Sequence, residues 1–183
     1  MKKIFLSIIA LLLTANIFAQ EITSSPPKVE MLKHEVGVSI GAFPAIAMLY
    51  KFDFNPIIYP VLHFRYYYNF DTIHSLGILL SAIPFEGIGR GYHGCLFIPE
   101  LIYKISYYHS DWVSFYLSIA VGMQLGFAYS IDFSPSFQFY PIACQLNLFG
   151  VQIGKIHSTF IELGYGSQGV VTIGYKHNFN KQK

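Results

Sequence analysis

From Val113 to Leu125 the chain reads VSFYLSIAVGMQL, and its odd positions are all large and apolar: Val113, Phe115, Leu117, Ile119, Val121, Met123 and Leu125. The even positions between them, Ser114, Tyr116, Ser118, Ala120, Gly122 and Gln124, are mostly small or polar. A period of two is the signature of a strand with one oily face and one face that accepts polar atoms. A strand in a soluble sheet runs to about 5–6 residues. A strand that crosses a bilayer needs about 9–11. Length and pattern together point to a membrane β-barrel, oily outside and polar within.

The N-terminus agrees with export. Lys2 and Lys3 precede an apolar run from Ile4 to Leu13, and Ala15 to Ala19 lead into Gln20. This is the layout of a secretory signal peptide over residues 1–19, cleaved after Ala19. The run is too short for a spanning helix of about 20 residues. Lys2 and Lys3 leave with it, so ten of the 12 basic residues face 10 acidic ones. A neutral chain without a basic run has no electrostatic footprint for nucleic acid. Hydrophobic residues make up 53% and charged ones only 12%, too oily for a soluble domain of this size. The 14 Tyr and 17 Phe suit two interfacial aromatic girdles.

Residues 20–33 read as a periplasmic lead-in, broken by Pro26 and Pro27. Eight alternating segments follow within 34–179: about 34–42, 60–70, 73–83, 94–108, 113–125, 137–149, 157–165 and 169–179. Residues 180–183 form a tail. Long connections (43–59, 84–93, 126–136) alternate with short ones such as Asp71-Thr72 and His109-Ser110-Asp111, which carry turn-forming residues. Long outer loops, short periplasmic turns and an even strand count define an all-β fold, an eight-stranded antiparallel up-and-down transmembrane β-barrel.

Two rivals are weaker. Val113 to Ile131 carries no charge, nor does Ser134 to Gly154, as a spanning helix would require. The strict two-residue period, the interior Gly122 and Gly126, and Pro135 and Pro141 argue against helices. A soluble lipocalin-like barrel would be apolar inside and polar outside, the reverse of this pattern. Cys95 and Cys144 fall on outward positions of non-neighbouring strands, so no disulfide is expected.

The inward positions hold three acids and three bases: Glu35, Arg65, Glu100, Lys104, Glu162 and Lys176. An eight-stranded barrel is just wide enough for side chains to fill. Isolated buried charges are costly, so these six are expected to pair into a polar network that seals the lumen. A narrow pore for small solutes is the third-ranked function. The second is lipid modification, since outer-membrane lipid A deacylases and palmitoyltransferases use His and Ser on the barrel. His157, Ser158 and Glu162 invite that comparison, but neighbours on a strand face opposite sides, and these lie at the periplasmic end. No His cluster has metal-ligand spacing, so no metal, cofactor or catalytic residue is expected. His93 beside Arg90 reads first as part of a solvated loop, with contact to lipopolysaccharide phosphates as the lesser alternative, and GIGRGYHG (87–94) reads as a pliant loop rather than a phosphate cradle.

ELGYGSQGVVTIGYKHNF (162–179) resembles the closing hairpin of small outer-membrane β-barrel proteins common in Bacteroidota. FSPSFQFYPIACQLNLFGVQIGK, just before it, resembles their sixth and seventh strands. The resemblance implies fold and location and brings no activity with it. Such barrels often end on an aromatic residue read by the insertion machinery, whereas Phe179 here is followed by Asn180, Lys181, Gln182 and Lys183. The resulting expectation is a monomeric, non-enzymatic protein of the cell outer membrane with a structural or surface-interaction role. Its partners would be outer-membrane lipid, lipopolysaccharide and, during insertion, the barrel-assembly machinery.

Overall fold

The computed structural model describes residues 32–42, 60–87, 92–110, 112–129 and 135–180. The expected signal segment, most of the lead-in, the first outer loop and the last three residues lie outside them, as do Arg90 and the side chain of His93.

Eight strands follow one another: β1 (His34–Ala42), β2 (Val61–Asn69), β3 (His74–Gly87), β4 (Tyr92–His109), β5 (Val113–Tyr129), β6 (Pro135–Ile153), β7 (His157–Gly166) and β8 (Val171–Phe179). Each pairs antiparallel with the next, and β1 closes the ring on β8 from His34↔Phe179 to Ala42↔Val171. The fold is a closed, eight-stranded, all-antiparallel barrel. The uncharged stretches that could have been helices hold β5 and β6. No helix among the described residues is long and apolar enough to cross a membrane.

The pleat sorts residues as the alternation requires. On β2, His63, Arg65 and Tyr67 are buried while Leu62, Phe64 and Tyr68 are exposed. Exposed apolar residues such as Val38, Ile78, Leu101, Val121, Ile161 and Ile173 recur around the outside. Cys95 and Cys144 are free thiols, Cys144 exposed.

β3, β4, β5 and β6 run past their expected ends, β3 reaching Gly87 rather than 83. β4, β5 and β6 span 18, 17 and 19 residues, and bulges interrupt their pairing. A bulge sets two residues against one and resets the phase of the strand. On β6 the irregularity between Asn147 and Phe149 leaves Leu148 and Phe149 both exposed. Beyond it Gln152 turns inward, which the unbroken alternation did not foresee. Ile105, an outward position by alternation, is fully buried beside the bulge at Ser106/Tyr108.

The short turns are closed by side chains. Asp71 Oδ1 accepts the N–H of Ile73 and of His74 at 2.7 and 2.6 Å, and Ser110 Oγ accepts the N–H of Val113 at 3.0 Å. Gly154 (φ 118°) makes the β6–β7 turn in a backbone region that L side chains rarely adopt.

Candidate functional site

The interior is where the sequence concentrates chemistry. Period-two pleating sends Glu35 from β1, Arg65 from β2, Glu100 and Lys104 from β4, Glu162 from β7 and Lys176 from β8 inward, all buried. The structure brings five of them into two ionic groups. Arg65 Nη1 donates to Glu162 Oε1 at 2.7 Å, both side chains fully buried. Glu35 bridges two lysines, with Lys104 Nζ 2.9 Å from Oε2 and Lys176 Nζ 2.9 Å from Oε1. Charges taken from water need this kind of pairing, and further hydrogen bonds, to be tolerated.

Further bonds are present. Tyr116 Oη donates to Glu162 Oε1 at 2.9 Å and Asn147 Nδ2 to Oε2 at 3.4 Å. Arg65 Nη2 donates to Ser39 Oγ at 3.1 Å. Lys176 Nζ donates to Gln152 Oε1 at 3.3 Å, and Gln152 Nε2 to Ser158 Oγ at 3.1 Å. Aromatic faces supply the rest. The Arg65 guanidinium lies 4.4 Å from the centre of the Phe160 ring, and Lys104 Nζ 4.6 Å from that of Tyr67. Lys176 Nζ stands over both Phe160 and Tyr116, at 4.5 and 4.8 Å. A cation over a ring face is drawn by its quadrupole, more so when desolvated. Phe160 and Tyr116 thus solvate bases that water does not reach.

Glu100 departs from the expected pattern. No ion pair of Glu100 is seen among the described residues. Its Oε1 instead accepts the hydroxyl of Ser167 at 2.6 Å. The reason is the segment that links β7 to β8, which folds into the lumen rather than projecting outward. Ser167 and Gln168 are completely buried. Gln168 N–H donates to Gln145 Oε1 at 2.9 Å, and Ser167 N–H to the Cys144 carbonyl at 3.0 Å. Val170 N–H donates to the Ala42 carbonyl at 2.8 Å. His63 Nε2 donates to the Gln168 carbonyl at 3.2 Å, which leaves Nδ1 to accept the Ser81 hydroxyl at 2.8 Å. Gly166 (φ 143°) and Gly169 (φ 107°) supply the two reversals that bring Ser167-Gln168 inside.

Beside this segment the inner face turns apolar, with Val61, Ile83, Ile98 and Ala143 forming a buried cluster against which Leu96 packs. At the opposite end, among the short turns, a polar recess of about 70 Å³ opens. It is lined by Asn69, Ser75, Ser114, Gln152 and Asn178 and floored by Glu35 and Lys104. That is room for a few water molecules at about 10–15 Å³ each.

The catalytic comparison meets a geometric obstacle. His157 is exposed and Ser158 fully buried on adjacent positions of β7, so their side chains point to opposite sides of the wall. Ser158 faces Gln152, and the His157 ring bonds the Tyr175 hydroxyl on the outer face. Among the described residues no group of three or more His, Cys, Asp or Glu is arranged to hold a metal ion. Sequence reasoning missed Ser167 and Gln168, which carry no periodic pattern, and Gln152, which lies past the bulge. The Gly-Ser-Gln-Gly stretch was the available signal, since paired glycines mark a tight reversal.

No protein-family model matches the chain, and neither does any curated protein sequence. Among solved structures, the chain is similar to the N-terminal β-barrel domain of OprF from Pseudomonas aeruginosa. The TM-score is 0.52 at 14% identity, over 81% of this chain and 98% of that one. Ail, the attachment invasion locus protein of Yersinia pestis, solved with the heparin analogue sucrose octasulfate, gives a TM-score of 0.46 at 15% identity, over 79% and 94% of the two chains. The likeness to the OprF domain is one of fold: a small eight-stranded barrel of outer-membrane type.

Proposed function

We propose that this protein is an integral outer-membrane barrel, exported by its residues 1–19, with a structural or surface-interaction role and no catalysis. The observation that carries the reading is the inverted distribution of polarity. Two buried ionic groups fill the centre, while Val38, Leu62, Ile78, Leu101, Ile142 and Ile173 stand exposed on the outer wall. Such a surface is unsuited to water and suited to hydrocarbon, and a closed ring leaves no strand edge unpaired within it. The lumen is sealed by two devices in series, the Arg65–Glu162 and Glu35–Lys104–Lys176 groups and the inward β7–β8 segment, so the barrel wall acts as an anchor. The outer loops are the parts that meet the surroundings, and lipopolysaccharide is their nearest neighbour.

Gel migration of the unboiled and boiled protein tests the barrel. A closed barrel shifts on boiling, and an unchanged band overturns the reading. Planar-bilayer recording tests the seal, with no conductance steps expected from the full chain. Mass spectrometry of lipid A from cells with and without the protein tests the absence of lipid chemistry, with identical spectra expected.

A further inference from the structure

The outer wall carries a motif that repeats three times at one end. His34 opens β1, His74 opens β3 and His157 opens β7. The residues that follow them, Glu35, Ser75 and Ser158, are buried inside, so the three imidazoles face outward. In each case Nδ1 is hydrogen-bonded to a tyrosine hydroxyl on the next strand: Tyr66 at 2.8 Å, Tyr103 at 2.7 Å, and Tyr175. Each tyrosine stands diagonally, two residues beyond the histidine's direct partner, since His34 pairs with Tyr68, His74 with Ile105 and His157 with His177. The ring centres are 6.1, 6.0 and 6.0 Å apart. The fourth upward strand, β5, opens on Val113 instead, with the exposed Trp112 just before it.

One arrangement repeated on three strand pairs has a common chemical consequence. The hydrogen bond to the tyrosine engages Nδ1, and where the hydroxyl is its donor the imidazole proton sits on Nε2, the ring nitrogen turned away from the tyrosine. Each pair therefore offers an N–H donor immediately below an apolar wall, where Phe64, Ile78 and Ile161 stand exposed. At the third pair, His177 lies 4.8 Å from His157 and stacks on Phe179, which in turn stacks on His34, joining the first and third sites into one ring ladder. Asp71, the acid near His74, is engaged by two turn N–H groups. A donor at the foot of an oily wall fits a ligand with an anionic oxygen at the end of acyl chains.

We propose that the three His–Tyr pairs are docking sites for glycerophospholipid phosphates of the leaflet on the short-turn side, each Nε2–H donating to a phosphate oxygen. The inference rests on the membrane reading above and adds a headgroup chemistry that an aromatic girdle alone does not specify. Native mass spectrometry of the full chain in detergent tests it, with phosphatidylglycerol compared against diacylglycerol of the same acyl chains. A hydrogen bond to a charged group is worth about 1.5–3 kcal/mol, so phosphatidylglycerol should be retained about tenfold better or more. The triple variant His34→Phe, His74→Phe, His157→Phe keeps the rings and should erase that preference. Should it fail to show the boiling shift, Tyr66→Phe, Tyr103→Phe, Tyr175→Phe, which frees the imidazoles but leaves the rings, is judged by the same ratio and should lower it. Equal retention of the two lipids by a shifting wild-type barrel, or an unchanged preference in the folded variant, overturns the proposal and leaves the barrel standing. A wild-type band that does not shift overturns the barrel and the lipid sites together.

Discussion

The centre and the upper part of the lumen solve one problem in two ways. The centre is filled by charges from five strands: Arg65 reaches Glu162, and Glu35 holds Lys104 and Lys176. The upper part is occupied by a piece of main chain, Ser167-Gln168, whose amides and carbonyls bind side chains and main chain of the wall. Ionic closure is strong only while every partner is present, because a bereaved charge has no water to turn to. Main-chain closure is built from neutral bonds of about 0.5–1.5 kcal/mol each, and the loss of one is a local matter. The centre should behave as a single unit and the upper closure as a set of separable contacts.

Four single substitutions and one double variant put that contrast at risk, from the largest expected effect down. Arg65→Ala strands Glu162 in the centre and should cost about 3–5 kcal/mol, read as a fall in the midpoint of urea unfolding in vesicles. Replacing both partners, Arg65→Met with Glu162→Leu, should recover most of that loss; no recovery would mean that the pair does not act as a unit. Gly41→Ala strikes the upper closure through the backbone. Its new Cβ would lie 2.0 Å from the Gln168 carbonyl oxygen, a clash of the overpacking kind worth about 1–3 kcal/mol. The segment should yield, and faster proteolysis at Ser167-Gln168 would report it. Ser167→Ala removes the hydroxyl that serves Glu100 and should cost about 1–3 kcal/mol by the same unfolding midpoint. Ser118→Ala, which deletes the 3.0 Å bond from Asn147 Nδ2, should cost only about 0.5–1.5 kcal/mol. A Ser118 effect as large as that of Arg65 would mean that a neutral bond counts for as much as a buried charge, which removes the basis of the contrast.

The same contrast explains what could be read before any coordinates. Strand identity and facing were legible because one face of each strand is uniformly apolar, and a one-residue slip would reverse it. Glu35, Arg65, Lys104, Glu162 and Lys176 were therefore found as inward residues. Their pairing was not legible, for Arg65 and Glu162 stand 97 positions apart and meet only because the ring closes. Glu100 was grouped with the charges to be paired, yet a serine from the four-residue link between β7 and β8 meets it. Nothing periodic marks a segment whose role depends on two glycines with positive φ. Gln152 was lost for a different reason. A bulge at Leu148 shifts the phase of β6, and sequence alternation carries no sign of such a shift.

The seam between β1 and β8 has a consequence in time. His34 pairs with Phe179 and Ala42 with Val171, so the first strand of the barrel waits for the last before either has both neighbours. Contacts this distant along the chain are slow to form, because the loop must close before any bond rewards it. Until the final nine residues of β8 arrive, the sheet keeps two open edges, each a template for mispairing. Closure of this barrel is therefore a late, all-or-none event, and a chain cut short before Val171 has no smaller closed form to fall back on.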